Sequence, residues 1–305
     1  MTVGFCLSMM VIEMKRNKSK NKNHDKPSIF SYHDYRDFLR DFLQYRIDST
    51  EKFSLRRLAR LSDISSGYLP MVINGKRNLT KKALIKLEPY LGLGESEISY
   101  LRQLQTLADS DSQSERLIAL KKMQNFNKYV NVHDGEVRAF NFLTHWYNVV
   151  IREMVELKDF SLDVEWIKSK LINKVSKKDI RDATTFLLNN DFIKNDNNKV
   201  SQTVNDLNCV GSVFKVGLKE FHKSMFERAS ESIDLVPADQ RSIVGHTLCV
   251  SKDQFLEIKN ILDEALEKIS KINNNKENNE VVYHTALVAF PLTDIKDEVE
   301  DENNN

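Results

Sequence analysis

Residues 54–86, SLRRLARLSDISSGYLPMVINGKRNLTKKALIK, restrict the chain to few local folds. Leu55, Leu58 and Ala59 fall at i, i+3 and i+4, and Leu69, Val72 and Ile73 repeat that spacing, so two short helices each bury one apolar face. Asp63 stands in the break between them, and Asp tolerates left-handed backbone angles better than most residues. Ser65 is placed to cap the second helix. Alternatively that helix begins at Leu69, with Pro70 in its first turn, where a missing N–H costs little. A small residue on the first helix, a tight turn and a second helix with an outward face are what a helix-turn-helix requires. Charge is concentrated on the same stretch. Nine Lys and Arg residues from Lys52 to Lys86 face Asp63 alone, a local +8 in a chain of formal net charge +1. A confined cationic surface suits contact with phosphates.

The interval from Ala59 to Gly75 is sixteen residues, with the Gly closing the second helix. On that spacing the stretch resembles the Cro/C1-type helix-turn-helix of phage repressors and bacterial regulators. DYRDFLRDF, YLPMVINGKRNLT, EWIKSKL and VVYHTALVAFPLT extend the likeness over residues 32–293. Together they resemble an uncharacterised bacterial family that joins such a domain to a C-terminal domain of unknown function. The resemblance implies a double-stranded DNA partner. Arg56, Arg57, Lys76, Arg77 and Lys81 would hold phosphates, while Ser65, Ser66, Tyr68 and Met71 would face the major groove. The chain departs from the pattern at Asp63, where Gly is usual. It departs again at Ser66, Gly67, Pro70 and Met71, which replace the Arg, Lys, Asn or Gln that read bases bidentately. Phosphate positioning is therefore well supplied and base reading thin.

Composition sets the class. With 305 residues, 41% hydrophobic and only 9 Gly and 5 Pro, the chain can bury a sizeable helix-rich core in two or three domains. Cys6, Cys209 and Cys249 have neither metal nor disulfide spacing, which suits a reducing cytoplasm. Residues 1–12 are apolar but too few to span a bilayer and lack a leading basic region, so no membrane partner is expected. Residues 1–28 read as a disordered basic arm, with Met10 and Met14 as alternative starts to Met1. Residues 296–305 read as an acidic disordered tail.

The expected fold is mainly α. A five-helix bundle at 29–110 contains helices over 34–47 and 95–107 and one capped by Thr80. Residues 111–210 hold a linker helix (114–130), a long aromatic helix (136–157) and a winged-helix-like unit, with two short helices followed by a hairpin around 195–198. A small α+β domain at 211–295 has a helix over 218–235, strands over 244–251 and 281–290 and a helix over 253–272. Because two strands make a poor sheet, further strands near 210–216, or pairing with another subunit, are expected.

No catalytic chemistry is legible. The seven His residues lack metal-ligand spacing, the Gly residues form no phosphate loop, and no nucleophile elbow occurs. His246 and Cys249, three apart on one expected strand, would point to opposite faces. No enzyme, cofactor or metal is expected. The expected protein is a cytoplasmic, dimeric, bacterial transcription regulator. The aromatic helix at 140–147 reads as core, with a pocket for an unidentified small-molecule or peptide effector as the alternative. The alternative is a protein-interaction adaptor whose helix-turn-helix no longer reads bases.

Overall fold

A computed structural model describes residues 25–197, 199–203, 212–272 and 278–294. Most of the expected basic arm and all of the acidic tail lie outside these residues, as do Cys6 and Cys209. The fold is mainly helical, with thirteen α-helices and one two-stranded sheet among the described residues.

After a short 3-10 turn, Ile29–Ser31, five helices follow: α1 (Tyr35–Ser49), α2 (Leu55–Leu61), α3 (Tyr68–Ile73), α4 (Lys81–Leu91) and α5 (Glu95–Asp109). Side-chain caps set their starts. Asp34 accepts from Arg36 N–H, Ser54 from Arg57 N–H and Thr80 from Ala83 N–H, each satisfying a donor that the helix leaves unpaired. The apolar faces meet in one core. Tyr35, Phe38, Phe42, Leu58, Leu69, Val72, Leu84 and Leu101 are almost completely shielded from solvent, and Phe38 stacks on Phe42 at 5.1 Å.

This core does not stop at residue 110. It takes in Leu120 and Met123 of α6 (Gln113–Met123), Tyr129 of α7 (Asn127–Val132) and Phe140 of α8 (Asp134–Thr144). It also takes in Val213 and Val216 of α12 (Ser212–Leu235). The expected strand near 210–216 is thus helical over its described part. The expected helix over 136–157 is two helices, because His145 is extended (φ −120°, ψ 93°) and α9 (Trp146–Met154) starts after it.

Neighbouring side chains on α8 serve different cores. Phe140 belongs to the first, while Phe142 stacks on Phe192 at 4.4 Å in the second. Both are fully buried, as the core reading of this stretch expects. The second core gathers α9, α10 (Val164–Lys170), α11 (Lys177–Asn189) and a hairpin. Strand β1 (Ile193–Asp196) pairs antiparallel with β2 (Lys199–Gln202), Ile193 opposite Gln202. Ser176 caps α11 by accepting from Asp179 N–H. Where α8 crosses α12, Gly217 permits a close approach: an added Cβ would lie 3.3 Å from the Phe140 ring and 3.4 Å from its Cα.

The C-terminal part departs most from expectation. Residues 241–251 and 278–290 form neither helix nor strand, and α13 (Lys252–Ser270) between them has no buried residue. High β-propensity makes a strand only where a neighbouring strand takes up its backbone donors and acceptors. Among the described residues none is in reach.

Candidate nucleic-acid interface

The α2–α3 pair is shaped by two left-handed residues. At the end of α2, Asp63 has φ +49°. Its N–H donates to Arg60 C=O (3.3 Å) while Ile64 N–H donates to Ala59 C=O (3.0 Å). This pair of bonds closes a helix by satisfying carbonyls that lack helical partners. Ala59 is buried under the turn, and Ser62 donates its hydroxyl to Leu58 C=O at 2.8 Å. Asp63 in place of Gly is held from α4. Lys86 Nζ lies 2.6 Å from its carboxylate and 3.0 Å from its carbonyl, and this partner holds the carboxyl below its usual range.

The end of α3 repeats the device. Gly75 has φ +71°, its N–H donates to Val72 C=O (3.0 Å) and Lys76 N–H donates to Met71 C=O (2.9 Å). An added Cβ at Gly75 would meet nothing within 4 Å, so any cost of substitution is conformational alone. Gly75→Ala is expected to lower stability by about 1 kcal/mol, the penalty of a left-handed L-residue, read as a lower urea midpoint at unchanged slope. An unchanged midpoint would mean that the left-handed turn is not required.

Ser65 is not the cap of α3. Gly67 precedes the helix without any side-chain cap, Ser65 C=O accepts from Tyr68 N–H (3.0 Å), and Pro70 sits in the first turn. This leaves the Ser65 and Ser66 hydroxyls and Gly67 exposed in front of a helix N-terminus.

The corner after α3 is clamped from behind. Leu79 N–H faces both the Tyr35 hydroxyl (3.0 Å) and Asp109 Oδ2 (3.2 Å), and Leu79 C=O accepts from Gln105 Nε2 (2.8 Å). The Asp109 side chain, only 6% exposed, also accepts from Tyr35 (2.7 Å) and from Arg36 (2.6 Å). Burial and that carboxylate push the Tyr35 phenol well above its ordinary range. Arg40 donates to Ile73 C=O at 3.0 Å, tying α1 to the end of α3. These anchors come from residues far apart in sequence, and no spacing signals them.

The sequence-derived site residues fall as follows. Arg56, Arg57, Ser65, Ser66, Lys76, Arg77 and Lys81 are exposed; Tyr68 and Met71 are half-buried. Arg57 donates to Lys52 C=O at 3.2 Å. Among the described residues, Arg56, Lys76, Arg77 and Lys81 have no carboxylate partner, and the only ion pair within 52–86 is Lys86–Asp63. Lys86 is thus drawn into the turn and withheld from any ligand. Tyr68 also takes another role. Its hydroxyl donates to Asn78 C=O (2.9 Å) and accepts from Thr80 N–H (3.0 Å), bracing the corner instead of projecting outward. What is left is an exposed 65–67 turn, together with cations at the start of α2, after the end of α3 and at the start of α4 that have no carboxylate partner and can attract a polyanion.

A family model, described as a domain of unknown function (DUF4423), matches residues 121–292, beginning beyond the α2–α3 pair. No curated protein and no solved structure matches the chain. No described helix is long and apolar enough to cross a membrane.

Proposed function

From a chain that belongs to the DUF4423 family, we propose a transcription regulator that binds double-stranded DNA through its N-terminal bundle. One observation carries the reading. Asp63 closes α2 and Gly75 closes α3 in left-handed turns, Ser65, Ser66 and Gly67 between the two helices are open to solvent, and Arg56, Lys76, Arg77 and Lys81 have no carboxylate partner among the described residues. In this reading α2–α3 is a helix-turn-helix of Cro/C1 type, the cations hold phosphates, and Ser66 and Met71 meet the groove. Tyr68 positions the corner behind them.

The α10–α11–hairpin unit, residues 164–202, is a winged-helix-like scaffold and not a second reader. Part of its positive charge is neutralised within the unit, Lys178 by Asp182 (2.7 Å) and Lys177 by Glu165. The protein acts without catalysis, in a bacterial cytoplasm.

A titration with duplex DNA tests this. Affinity should fall steeply with salt, and replacing both Lys76 and Arg77 by Ala should flatten the log–log slope by about 2, roughly 0.9 for each phosphate left unneutralised. Absence of binding at low salt defeats the proposal. Gly67, Pro70 and Met71 favour a second reading, a protein-interaction adaptor, because Pro70 and Met71 offer apolar contact and none of the three carries a bidentate donor. That reading fails if one duplex sequence outcompetes random DNA by a factor of about 10 or more, on the order of what a single bidentate base pairing supplies.

The regulator works as a homodimer through its C-terminal part. The exposed apolar side chains between Ile243 and Leu292 include Val244 (91% exposed), Ile261 (64%), Tyr283 (67%) and Phe290 (68%). At about 100 Å² for each, their surface is on the order of 1,500 Å², against roughly 800 Å² per partner in a standard interface. A second copy of the same segment, strand to strand and helix to helix, is the occupant that also supplies the missing backbone partners.

A further inference from the structure

His33 lies between the 3-10 turn and α1, His133 joins α7 to α8, and Glu136 stands in the first turn of α8. A hundred residues of sequence separate the first from the other two. In the fold, one ligating atom from each lies within 4.8 Å of the other two. His33 Nε2 is 3.4 Å from Glu136 Oε2, and His133 Nδ1 is 3.7 Å from Glu136 Oε1. The two imidazole rings are 4.1 Å apart.

These separations are too long for a charge-assisted hydrogen bond, which closes to about 2.7–2.9 Å. They suit donors that share a cation. Bonds of about 2.0–2.1 Å at tetrahedral angles set neighbouring donors roughly 3.3 Å apart. Two further features point the same way. His33 Nε2 and Glu136 Oε2 are shut off from solvent and have no hydrogen-bond partner, although buried polar atoms are nearly always paired. His133 Nε2 lies 2.9 Å from Phe30 C=O, which can only accept, so Nε2 carries the hydrogen. In the neutral ring, Nδ1 then turns its lone pair toward the carboxylate. A ligating His oriented by a backbone carbonyl through its other nitrogen is the usual outer-shell arrangement of a metal site.

We propose that His33, His133 and Glu136 form a binding site for one divalent first-row transition cation, with zinc as the reference ion. Two imidazoles and a carboxylate are three protein ligands, leaving a fourth position for water. His33 also lines an open cleft with Asp34, Gln113 and Lys219. The cation would fasten the segment leading into the N-terminal bundle to α8, which lies inside the family-matched region. This site stands whether or not the bundle binds DNA.

The test uses the full chain stripped by a chelator and titrated with Zn²⁺, with Co²⁺ as the spectroscopic probe. One equivalent of Zn²⁺ should bind and raise the thermal midpoint, and Co²⁺ should give the visible absorption of a low-coordinate nitrogen–oxygen site. His33→Phe and Glu136→Gln should each weaken binding by about 100-fold or more. Their metal-free stability should stay close to that of the parent, since neither His33 Nε2 nor Glu136 Oε2 makes a hydrogen bond to lose. Loss of metal-free stability in the variants, with no metal uptake by the parent, would mean that the three residues share a proton instead, and would overturn the site. Uptake that the substitutions leave unchanged would place the ion elsewhere and overturn it equally. Should the variants fail to fold, the parent alone decides: no Co²⁺ spectrum and no zinc-dependent midpoint defeats the proposal.

Discussion

Asp109→Ala should lower unfolding free energy by about 3 kcal/mol, among the largest effects of any single substitution in the N-terminal bundle. Asp109 Oδ1 meets Arg36 at 2.6 Å, while Oδ2 meets Tyr35 at 2.7 Å and Leu79 N–H at 3.2 Å. Removing the carboxylate leaves a guanidinium that is only 16% exposed, still close to Asp34 at 3.6 Å but without its near partner. Losing one partner of a mostly buried pair costs about 3–5 kcal/mol, and the residual contact with Asp34 argues for the low end. The matching fall in thermal midpoint is about 6–12 °C.

Tyr35→Phe is the graded control. Leu79 N–H keeps Asp109 as acceptor, so the loss should be about 1 kcal/mol. Because Leu79 closely follows Lys76 and Arg77, Asp109→Ala should also weaken duplex binding without touching a cation. Urea melts of the three proteins decide the matter. If Asp109→Ala and the parent coincide, the clamp contributes nothing.

Local chemistry makes much of this bundle legible in the sequence. Asp34 and Thr80 in the bundle, and Ser176 in the second core, each announce a helix start because a cap is a contact between residues two or three apart. Asp63 is readable as a left-handed turn residue for the same reason. Ser65 misleads because its type suits a cap, whereas the chain needs one further turn before Gly67 can open α3.

Elsewhere the determinants are not local. The break at His145 divides a run whose apolar pattern continues through it, and packing, not propensity, separates Phe140 from Phe142 into different cores. Tyr35, Leu79 and Asp109 converge across some seventy residues. His33 meets His133 and Glu136 across a hundred, and the only local trace is the His-x-x-Glu at 133–136. Sequence spacing reveals metal ligands only when they share one element, and here only two of the three do.

The C-terminal part is where the missing partner has the largest expected consequence. A free helix of nineteen residues is marginal in water without a packed face, yet α13 carries a capping box at Ser251–Gln254 and buries nothing. The chain on either side holds residues that favour strands and has no strand to join. Its described ties to the rest include Lys158 N–H to Asn279 C=O (3.1 Å), Lys158 to Glu280 (2.5 Å), Val282 against the second core and the Phe221–His284 ring contact (5.8 Å). Fifteen large apolar side chains from Ile243 to Leu292 stand exposed over this part, which is where an unmade contact is expected.

Equilibrium sedimentation of the full chain should therefore give twice the 35.4 kDa chain mass at micromolar concentration. Replacing Ile261 and Tyr283 together by Asp places two unpaired carboxylates per chain in the contact. At about 2 kcal/mol or more for each buried charge, the dimer should weaken at least about 1,000-fold and sediment as monomer. Neither side chain is buried in the single chain, so the melting of the N-terminal bundle should not move. Duplex affinity should fall with the dimer, because two linked readers gain through effective concentration what one reader lacks. A parent chain that sediments as monomer at tens of micromolar defeats the dimer. A double variant that remains dimeric places the contact on another surface.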